Sequence, residues 1–239
     1  MKKQCKYCNK TKKLCNAHIV PRNFYLNYKT IKYRSINDKG KYKIWQCGVL
    51  DKNILCSDCD NLLGKYDNEV QKLLLQDIEK YLIFRDQNFA LYEIESSHYN
   101  YEYIRLFFIS LIWRASISNL DEFKYISIGK YENIASDILQ GKIKDNNDLF
   151  KTIILKEPKN KIFNKLYYCI DFNFKDIIAY KFFCGEFMFI IIPDIKNSTY
   201  QFNSKEWLEL FVNDKKFKIL EHEEIYNTKI SILHQYQIS

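Results

Sequence analysis

Two cysteine pairs with the same two-residue spacing constrain this chain more than any other feature. The first pair is Cys5 and Cys8, and the second is Cys56 and Cys59. A two-residue spacer lets a tight turn aim both sulfurs at one ion, and two such turns supply the four ligands of a tetrahedral zinc site. We therefore predict that these four cysteines bind one structural Zn²⁺.

A different ligand set is compatible with the same kind of spacing. Cys15 and His18 are also separated by two residues, so they could join the first cysteine pair in a local site with three sulfurs and one nitrogen. Cys47 and the second pair would then be short of a ligand. The four-cysteine set is favoured because it uses two symmetric pairs and leaves His18 available for other chemistry.

The use of cysteine also bears on location. The chain has eight cysteines, and no apolar segment of the kind found in signal peptides follows its charged first residues. We therefore expect a cytoplasmic protein in which cysteines bind metal rather than form disulfides. No membrane span is predicted, because the longest apolar stretches, Leu106–Trp113 and Phe187–Pro193, are far shorter than the roughly 20 residues a bilayer requires.

Positive charge is concentrated at the start of the chain. The net charge is +8, but residues 1–45 contain thirteen Lys and Arg residues against the single acid Asp38, which is +12. A basic segment around a metal site is suited to a polyanionic partner, and nucleic acid is the commonest one. The alternative is a solvated basic face without a partner.

Hydrophobic periodicity predicts an α+β fold. Helical spacing of apolar residues predicts a helix from about Ser57 or Asp58 to about Phe84, and two more over Tyr101–Ser118 and Lys130–Leu139. Arg105 and Arg114 flank the apolar part of the second of these, where they should pair with acids or contact phosphate.

After residue 148 the pattern changes to runs rich in Ile, Tyr and Phe, which are typical of an antiparallel sheet. The predicted strands are Phe89–Ile94, Leu149–Leu155, Leu166–Phe172, Ile177–Phe183, Phe187–Ile192 and Phe217–Leu220. A hairpin about Asp38–Gly40 and a short helix over Glu206–Val212 are also expected. We divide the chain into a zinc-stabilised module, residues 1–90, and an α+β domain, residues 91–239, whose sheet could bind a protein partner.

The motifs of residues 5–67 resemble the HNH nuclease family, the ββα-metal fold, in its zinc-stabilised form. The resemblance rests on the order of the first cysteine pair, then His18-Ile19-Val20-Pro21-Arg22, then Leu55 and the second pair at the start of a helix. It implies metal-dependent hydrolysis of nucleic-acid phosphodiesters, with DNA the expected substrate, and a setting such as bacterial anti-phage defence.

The resemblance also assigns roles to individual residues. His18 matches the general base that activates water, and Asn53 matches the family's middle asparagine. A catalytic Mg²⁺ or Mn²⁺ would lie beside His18, where Asp60, Asn61 and Asp67 could supply oxygen ligands. Asp60 and Asp67 are two helical turns apart and should share one face of the helix.

The chain departs from the family pattern at two positions. Ala17 stands where the family usually has an acid or a second histidine, and the family's final histidine on the helix is absent. These departures motivate an alternative function, a catalytically inactive HNH-like zinc module that binds nucleic acid or a partner protein.

Overall fold

The computed structural model describes residues 2–26, 33–36, 42–45, 48–87, 89–158, 169–174, 177–195 and 210–222. The strands are β1 (Lys3–Gln4), β2 (Thr11–Lys12), β3 (Ala17–His18), β4 (Tyr33–Ile36), β5 (Tyr42–Trp45), β6 (Leu50–Asp51), β7 (Leu82–Arg85), β8 (Phe89–Glu95), β9 (Leu149–Lys156), β10 (Cys169–Phe174), β11 (Ile177–Cys184), β12 (Phe187–Asp194) and β13 (Lys216–His222). The α-helices are α1 (Asn23–Leu26), α2 (Ser57–Gln71), α3 (Tyr101–Ser116) and α4 (Tyr131–Leu139). The predicted α+β class, with a mainly antiparallel sheet, is confirmed.

Within the described ranges, seven strands form the large sheet, in the order β10-β11-β12-β9-β13-β8-β7. Neighbouring strands are antiparallel except β13 and β9, which run parallel. Strand β13 therefore lies between two groups of strands that precede it in the sequence.

The continuous apolar run of β12 follows from its place within the sheet. Phe187 and Phe189 belong to the main hydrophobic core on one face, whereas Met188 and Ile190 belong to a second cluster on the other face. Successive strand residues point to opposite faces, so a strand covered on both sides needs apolar residues at every position.

Helix α3 lies at the centre of the main core. Its residues are buried on nearly all sides from Ile104 to Ala115, as the uniformly apolar sequence predicts. The rings of Phe107 and Phe108 pack edge-on against Phe189 of the sheet. Asn100 directly precedes the helix, and its side chain accepts a hydrogen bond from the Tyr103 N–H and so caps the first turn.

The N-terminal segments form small two-stranded pairs, β1 with β2, β3 with β6 and β4 with β5. The turn between β1 and β2 packs against α3 and against the end of α4. The Tyr7 hydroxyl donates to the Leu139 carbonyl at 2.6 Å, Gln140 donates to the Tyr7 carbonyl at 2.8 Å, and the Tyr7 ring meets Trp113 edge-on.

The long helix predicted to run to about Phe84 is wrong at its end. Helix α2 ends at Gln71, a π-helical turn and a 3₁₀ turn carry the chain to Tyr81, and Leu82–Arg85 is a strand. Pairing with β8 at the edge of the sheet overrides the helical spacing of the apolar residues.

The other predicted elements agree with the described residues to within a few positions. The boundary predicted between residues 90 and 91 falls inside β8, and the main hydrophobic cluster contains residues from both sides of it. The division into two domains stays a prediction. The Asp38–Gly40 turn, Cys47, residues 166–168 and residues 206–209 lie outside the described residues.

Candidate functional site

The first cysteine pair lies on the turn of a short hairpin. Strands β1 and β2 pair antiparallel, and between them the Cys5 N–H donates to the Lys10 carbonyl at 3.0 Å while Asn9 N–H donates to the Cys5 carbonyl at 2.9 Å. Asn9 has φ 58°, a left-handed conformation that asparagine tolerates better than most residues. This turn leaves the sulfurs of Cys5 and Cys8 on one side of the hairpin.

The second pair lies at the start of helix α2. Cys56 precedes the helix in an extended conformation, and Cys59 falls in the first turn, where its N–H donates to the Cys56 carbonyl at 3.1 Å. Backbone hydrogen bonds join this segment to the hairpin, since Lys6 N–H donates to the Ile54 carbonyl at 2.8 Å and Cys15 N–H donates to the Leu55 carbonyl at 2.9 Å.

These contacts bring the four cysteine sulfurs together. All four lie within 4.8 Å of one another, and the sulfurs of Cys56 and Cys59 are 3.5 Å apart. Four sulfurs at Zn–S distances of about 2.3 Å in a tetrahedron are roughly 3.8 Å apart, so the cluster fits such an ion. Cys5, Cys8, Cys56 and Cys59 could therefore bind a metal ion such as zinc.

Burial acts against charged thiols in this cluster. The pKa of Cys59 is raised, first by burial and then by hydrogen bonds to the neighbouring thiols. A bound cation would reverse this balance because it stabilises thiolates. Cys15 is outside the four-cysteine group; its thiol donates to the Leu55 carbonyl at 3.5 Å, and burial followed by the charge of Asp60 raises its pKa to about 11.

His18 ends a two-residue strand beside the helix. Strand β3 pairs antiparallel with β6, so that Ala17 lies opposite Asp51 and His18 opposite Leu50. The chain then bends at Ile19 and Val20 before Pro21, as expected for a segment that precedes a proline. Ala17 is fully buried, whereas His18 is partly exposed.

A cavity of about 300 Å³ opens between the end of β3 and helix α2, and we call it the His18 cavity. Its lining includes His18, Asp60, Asn61, Gly64, Asp67 and Arg114. The basic residues Arg22 and Lys65 also line it and are exposed. A β-carbon at Gly64 would contact nothing within 4 Å, so the glycine leaves open space and is not required by a close backbone approach.

Asp60 and Asp67 share the helix face that lines this cavity, as their spacing predicts. Burial raises the pKa of Asp60, and the negative charge of Asp67 acts in the same direction. The positive charge of Arg114 opposes this rise, and so does His18.

Asp67 is engaged by an arginine from helix α3. Arg114 Nη2 lies 2.8 Å from Asp67 Oδ1, and Arg114 Nη1 lies 3.2 Å from Asp67 Oδ2. The Arg114 side chain is 1% exposed and the Asp67 side chain 12%. The bidentate pair occupies both Asp67 oxygens, so this carboxylate is less available as a metal ligand than Asp60.

Asn53 lies apart from the His18 cavity. It is exposed, its side-chain oxygen accepts a hydrogen bond from Lys3 at 2.6 Å, and its N–H donates to Asp51 at 2.7 Å. Among the described residues, those lining the cavity do not include Asn53. The structure thus brings together His18, Asp60, Asn61 and Asp67 around the cavity, and Asn53 is not among these lining residues.

Arg114 is the cavity residue to which sequence reasoning gave no specific role. Its signal was an arginine within an otherwise apolar helix, directly after Trp113. Arg105 and Arg114 were expected to pair with acids or to contact phosphate, and both pair with aspartates. Arg114 pairs with Asp67, and Arg105 binds Asp145 through two hydrogen bonds at 2.8 and 3.0 Å.

Several lysines of the basic N-terminal segment have identified contacts. Lys12 pairs with Asp58 at 2.6 Å, and Lys6 donates to the Ile117 carbonyl at 2.6 Å. Lys2, Lys10 and Lys13 are exposed.

Comparisons of the chain with protein-family models, with curated proteins and with solved structures gave no match. Within the described ranges, none of the helices has both the length and the apolar character needed to cross a membrane.

Proposed function

We propose that the protein is a metal-dependent endonuclease of the HNH type that hydrolyses phosphodiester bonds in nucleic acid, with DNA as the first substrate to test. The observation that carries the proposal is the His18 cavity. It places an imidazole, a carboxylate and a side-chain amide beside exposed cations in a space large enough for a phosphate group.

Local topology supports the same proposal. The two antiparallel strands β3 and β6 are followed by helix α2, with His18 at the end of the first strand and facing the helix. This order is similar to that of the ββα-metal fold. In this reading the four cysteines hold a structural zinc that fixes the start of α2 relative to the preceding hairpin.

Each residue of the His18 cavity has a distinct task in this proposal. His18 accepts a proton from the attacking water, for which an imidazole is suited near neutral pH. Asp60 and Asn61 offer the oxygen ligands that hard divalent cations prefer. Such a cation, Mg²⁺ or Mn²⁺, would stabilise the charge that develops on the phosphate. Arg22 and Lys65, which also line the cavity, would contact neighbouring phosphates.

The test is the nicking of supercoiled plasmid DNA by the purified zinc-loaded protein with Mg²⁺ or Mn²⁺, with single-stranded RNA as a second substrate. We expect cleavage by the wild-type protein and a loss of at least about 100-fold on His18→Ala, within the range that general-base catalysis contributes. His98→Ala is the matched control, since His98 is exposed and stacks against Tyr81 rather than lining the cavity.

The His18→Ala and His98→Ala variants should have the same zinc content and the same unfolding midpoint. A loss of activity in His18→Ala can then not be attributed to unfolding. Cleavage that survives His18→Ala would remove His18 from the role of base. No cleavage by the wild-type protein of either substrate with any divalent ion would overturn the proposed activity.

Two observations favour a second candidate, a zinc module that binds nucleic acid without cutting it. Ala17, at the position before the histidine, is buried and offers no ligand, and both oxygens of Asp67 are taken up by Arg114. This candidate predicts salt-dependent binding to DNA without cleavage. Binding measured by fluorescence anisotropy at increasing salt, in parallel with the nicking assay, separates the two functions.

A further inference from the structure

Arg114 makes a set of contacts that ends at the backbone of His18. Its Nη1 donates to the His18 carbonyl at 3.0 Å, in addition to the two hydrogen bonds to Asp67, and its Nε lies 3.3 Å from the Ser110 carbonyl of the same helix. One buried guanidinium therefore connects helix α3, helix α2 and the end of strand β3.

The guanidinium has little freedom to move within this set of contacts. It is planar, with donors in a fixed fork, and the two oxygens of Asp67 match that fork. Because the Arg114 side chain is 1% exposed, water scarcely competes for its donors. Asp67 thus fixes the orientation of the Arg114 guanidinium plane. The Nη1 of this guanidinium is the atom that donates to the His18 carbonyl.

The His18 backbone lies at the end of a short strand. Strand β3 consists of two residues, and beyond it the Ile19 N–H donates to the Val49 carbonyl at 3.2 Å before the chain bends. The hydrogen bond from Arg114 therefore holds the His18 carbonyl where the regular ladder ends.

We propose that Arg114 is a positioning residue that fixes the backbone of His18 in the His18 cavity from helix α3, with Asp67 holding its guanidinium in plane. The catalytic consequence of this role rests on the function proposed above. Asp67, which the resemblance to HNH nucleases offers as a ligand of the catalytic cation, acts in this proposal through Arg114 instead. Helix α3, outside the segment that carries the zinc and histidine motifs, is then part of the site.

The chain contains a matched control for Arg114. Arg105 lies on the same helix, is 3% exposed, binds Asp145 through two hydrogen bonds and donates to the carbonyls of Leu149 and Phe150. It makes the same kinds of contact but does not line the His18 cavity. Arg105→Lys therefore reports the general effect on the protein of replacing a buried α3 arginine that forms a bidentate pair with an aspartate.

The test uses a backbone signal specific to His18. In the sequence His18-Ile19 is the one His-Ile pair, so full-length zinc-loaded protein with ¹³C-carbonyl histidine and ¹⁵N-isoleucine gives a single carbonyl-to-amide cross-peak. The hydrogen bond to the His18 carbonyl affects this signal directly. We expect the cross-peak to move in Arg114→Lys and to stay at its wild-type position in Arg105→Lys.

If Arg114→Lys does not fold, Asp67→Asn gives the same comparison, with Asp145→Asn as its control. An asparagine has one side-chain oxygen and no charge, so it cannot form the bidentate pair with the guanidinium. A cross-peak that stays in place in the folded Arg114 or Asp67 variant, or that moves equally in the matched control, would overturn the proposal.

Steady-state cleavage is the second measurement on the same proteins. We expect kcat to fall about 10- to 100-fold in Arg114→Lys with KM unchanged, because a small misplacement of a reacting group is costly, and Arg105→Lys to keep the wild-type kcat. A moved cross-peak with an unchanged kcat would overturn the catalytic part of the proposal. A wild-type protein that does not cleave would overturn the proposed function, and the cross-peak alone would then decide whether Arg114 positions His18.

Discussion

Helix α3 carries two buried arginines that do similar chemistry for different parts of the molecule. Arg105 and Arg114 each form a bidentate pair with an aspartate and donate to main-chain carbonyls. Arg105 binds Leu149 and Phe150 at the start of β9, within the large sheet. Arg114 binds His18 at the end of β3, in the segment that also contains the cysteine cluster.

The difference shows what such an arginine can hold in place. Phe150 has φ 52°, a left-handed conformation that is unfavourable for a bulky side chain, and its carbonyl accepts from Arg105 at 2.7 Å. Arg105 thus helps to hold an irregular entry into a strand. Arg114 makes the equivalent contact where the strand ends, beside a cavity. Arg105 therefore supports the fold near one end of helix α3, and Arg114 supports the candidate site near the other end.

The largest expected effect comes from removing one cysteine of the cluster. We expect Cys56→Ser to lower the zinc content from about one ion per chain to none, at a cost of several kcal/mol, because structural zinc contributes on the order of 10 kcal/mol in small zinc modules. Elemental analysis measures the metal. Hydrogen exchange should show lost protection in residues 110–117, near Arg114, and retained protection in residues 149–156, near Arg105. Equal losses in both segments would mean that the two arginine sites are not independent of each other.

A smaller effect is expected from removing the acidic partner of each arginine. Asp67→Ala and Asp145→Ala each leave a buried guanidinium without its carboxylate, and loss of one partner of a buried pair costs about 3–5 kcal/mol. Urea denaturation should therefore give similar losses in the free energy of unfolding for both variants. The double variant Arg114→Met with Asp67→Leu should recover most of the loss, because no unpaired charge stays buried. No recovery would show that packing, rather than charge burial, dominates.

The smallest effect is expected at an exposed ion pair. The Lys12 and Asp58 side chains are 39% and 77% exposed, and their 2.6 Å contact lies in solvent. We expect Lys12→Ala to leave the urea midpoint unchanged within error, since exposed pairs contribute little to stability. A loss as large as that of Asp67→Ala would mean that this pair supports the cysteine cluster beside it.

Much of the fold could be predicted from local patterns. The cysteine spacing predicted which four sulfurs come together, and the apolar run from Leu106 to Trp113 predicted a central helix. The strands Ile177–Phe183 and Phe187–Ile192 were also predicted, and Gly185 in the turn between them has φ 67°, as a tight hairpin requires. These features depend on residues close together in the sequence, or on ligands whose chemistry identifies them.

The rest depends on contacts between residues far apart in the sequence. The strand at Leu82–Arg85 has apolar residues at helical spacing and becomes a strand only by pairing with β8. The partner of Asp67 lies 47 residues away, so the helix-face pattern could place the carboxylate correctly without revealing that Arg114 engages it. Asn53 was matched by its position before the second cysteine pair, but the turn after β6 directs it toward Lys3.

The position of β13 has a consequence for the order in which the chain can fold. This strand, Lys216–His222, pairs with β8 on one side and with β9 on the other, so in the described part of the chain it joins the two halves of the sheet. Until residue 222 has left the ribosome, β13 cannot pair with β8 or β9, so the edges of these two strands are open. Open strand edges can pair with strands of other chains. The sheet can therefore be completed only after β13 has been synthesised, when the long segment from β7 to β12 is already available.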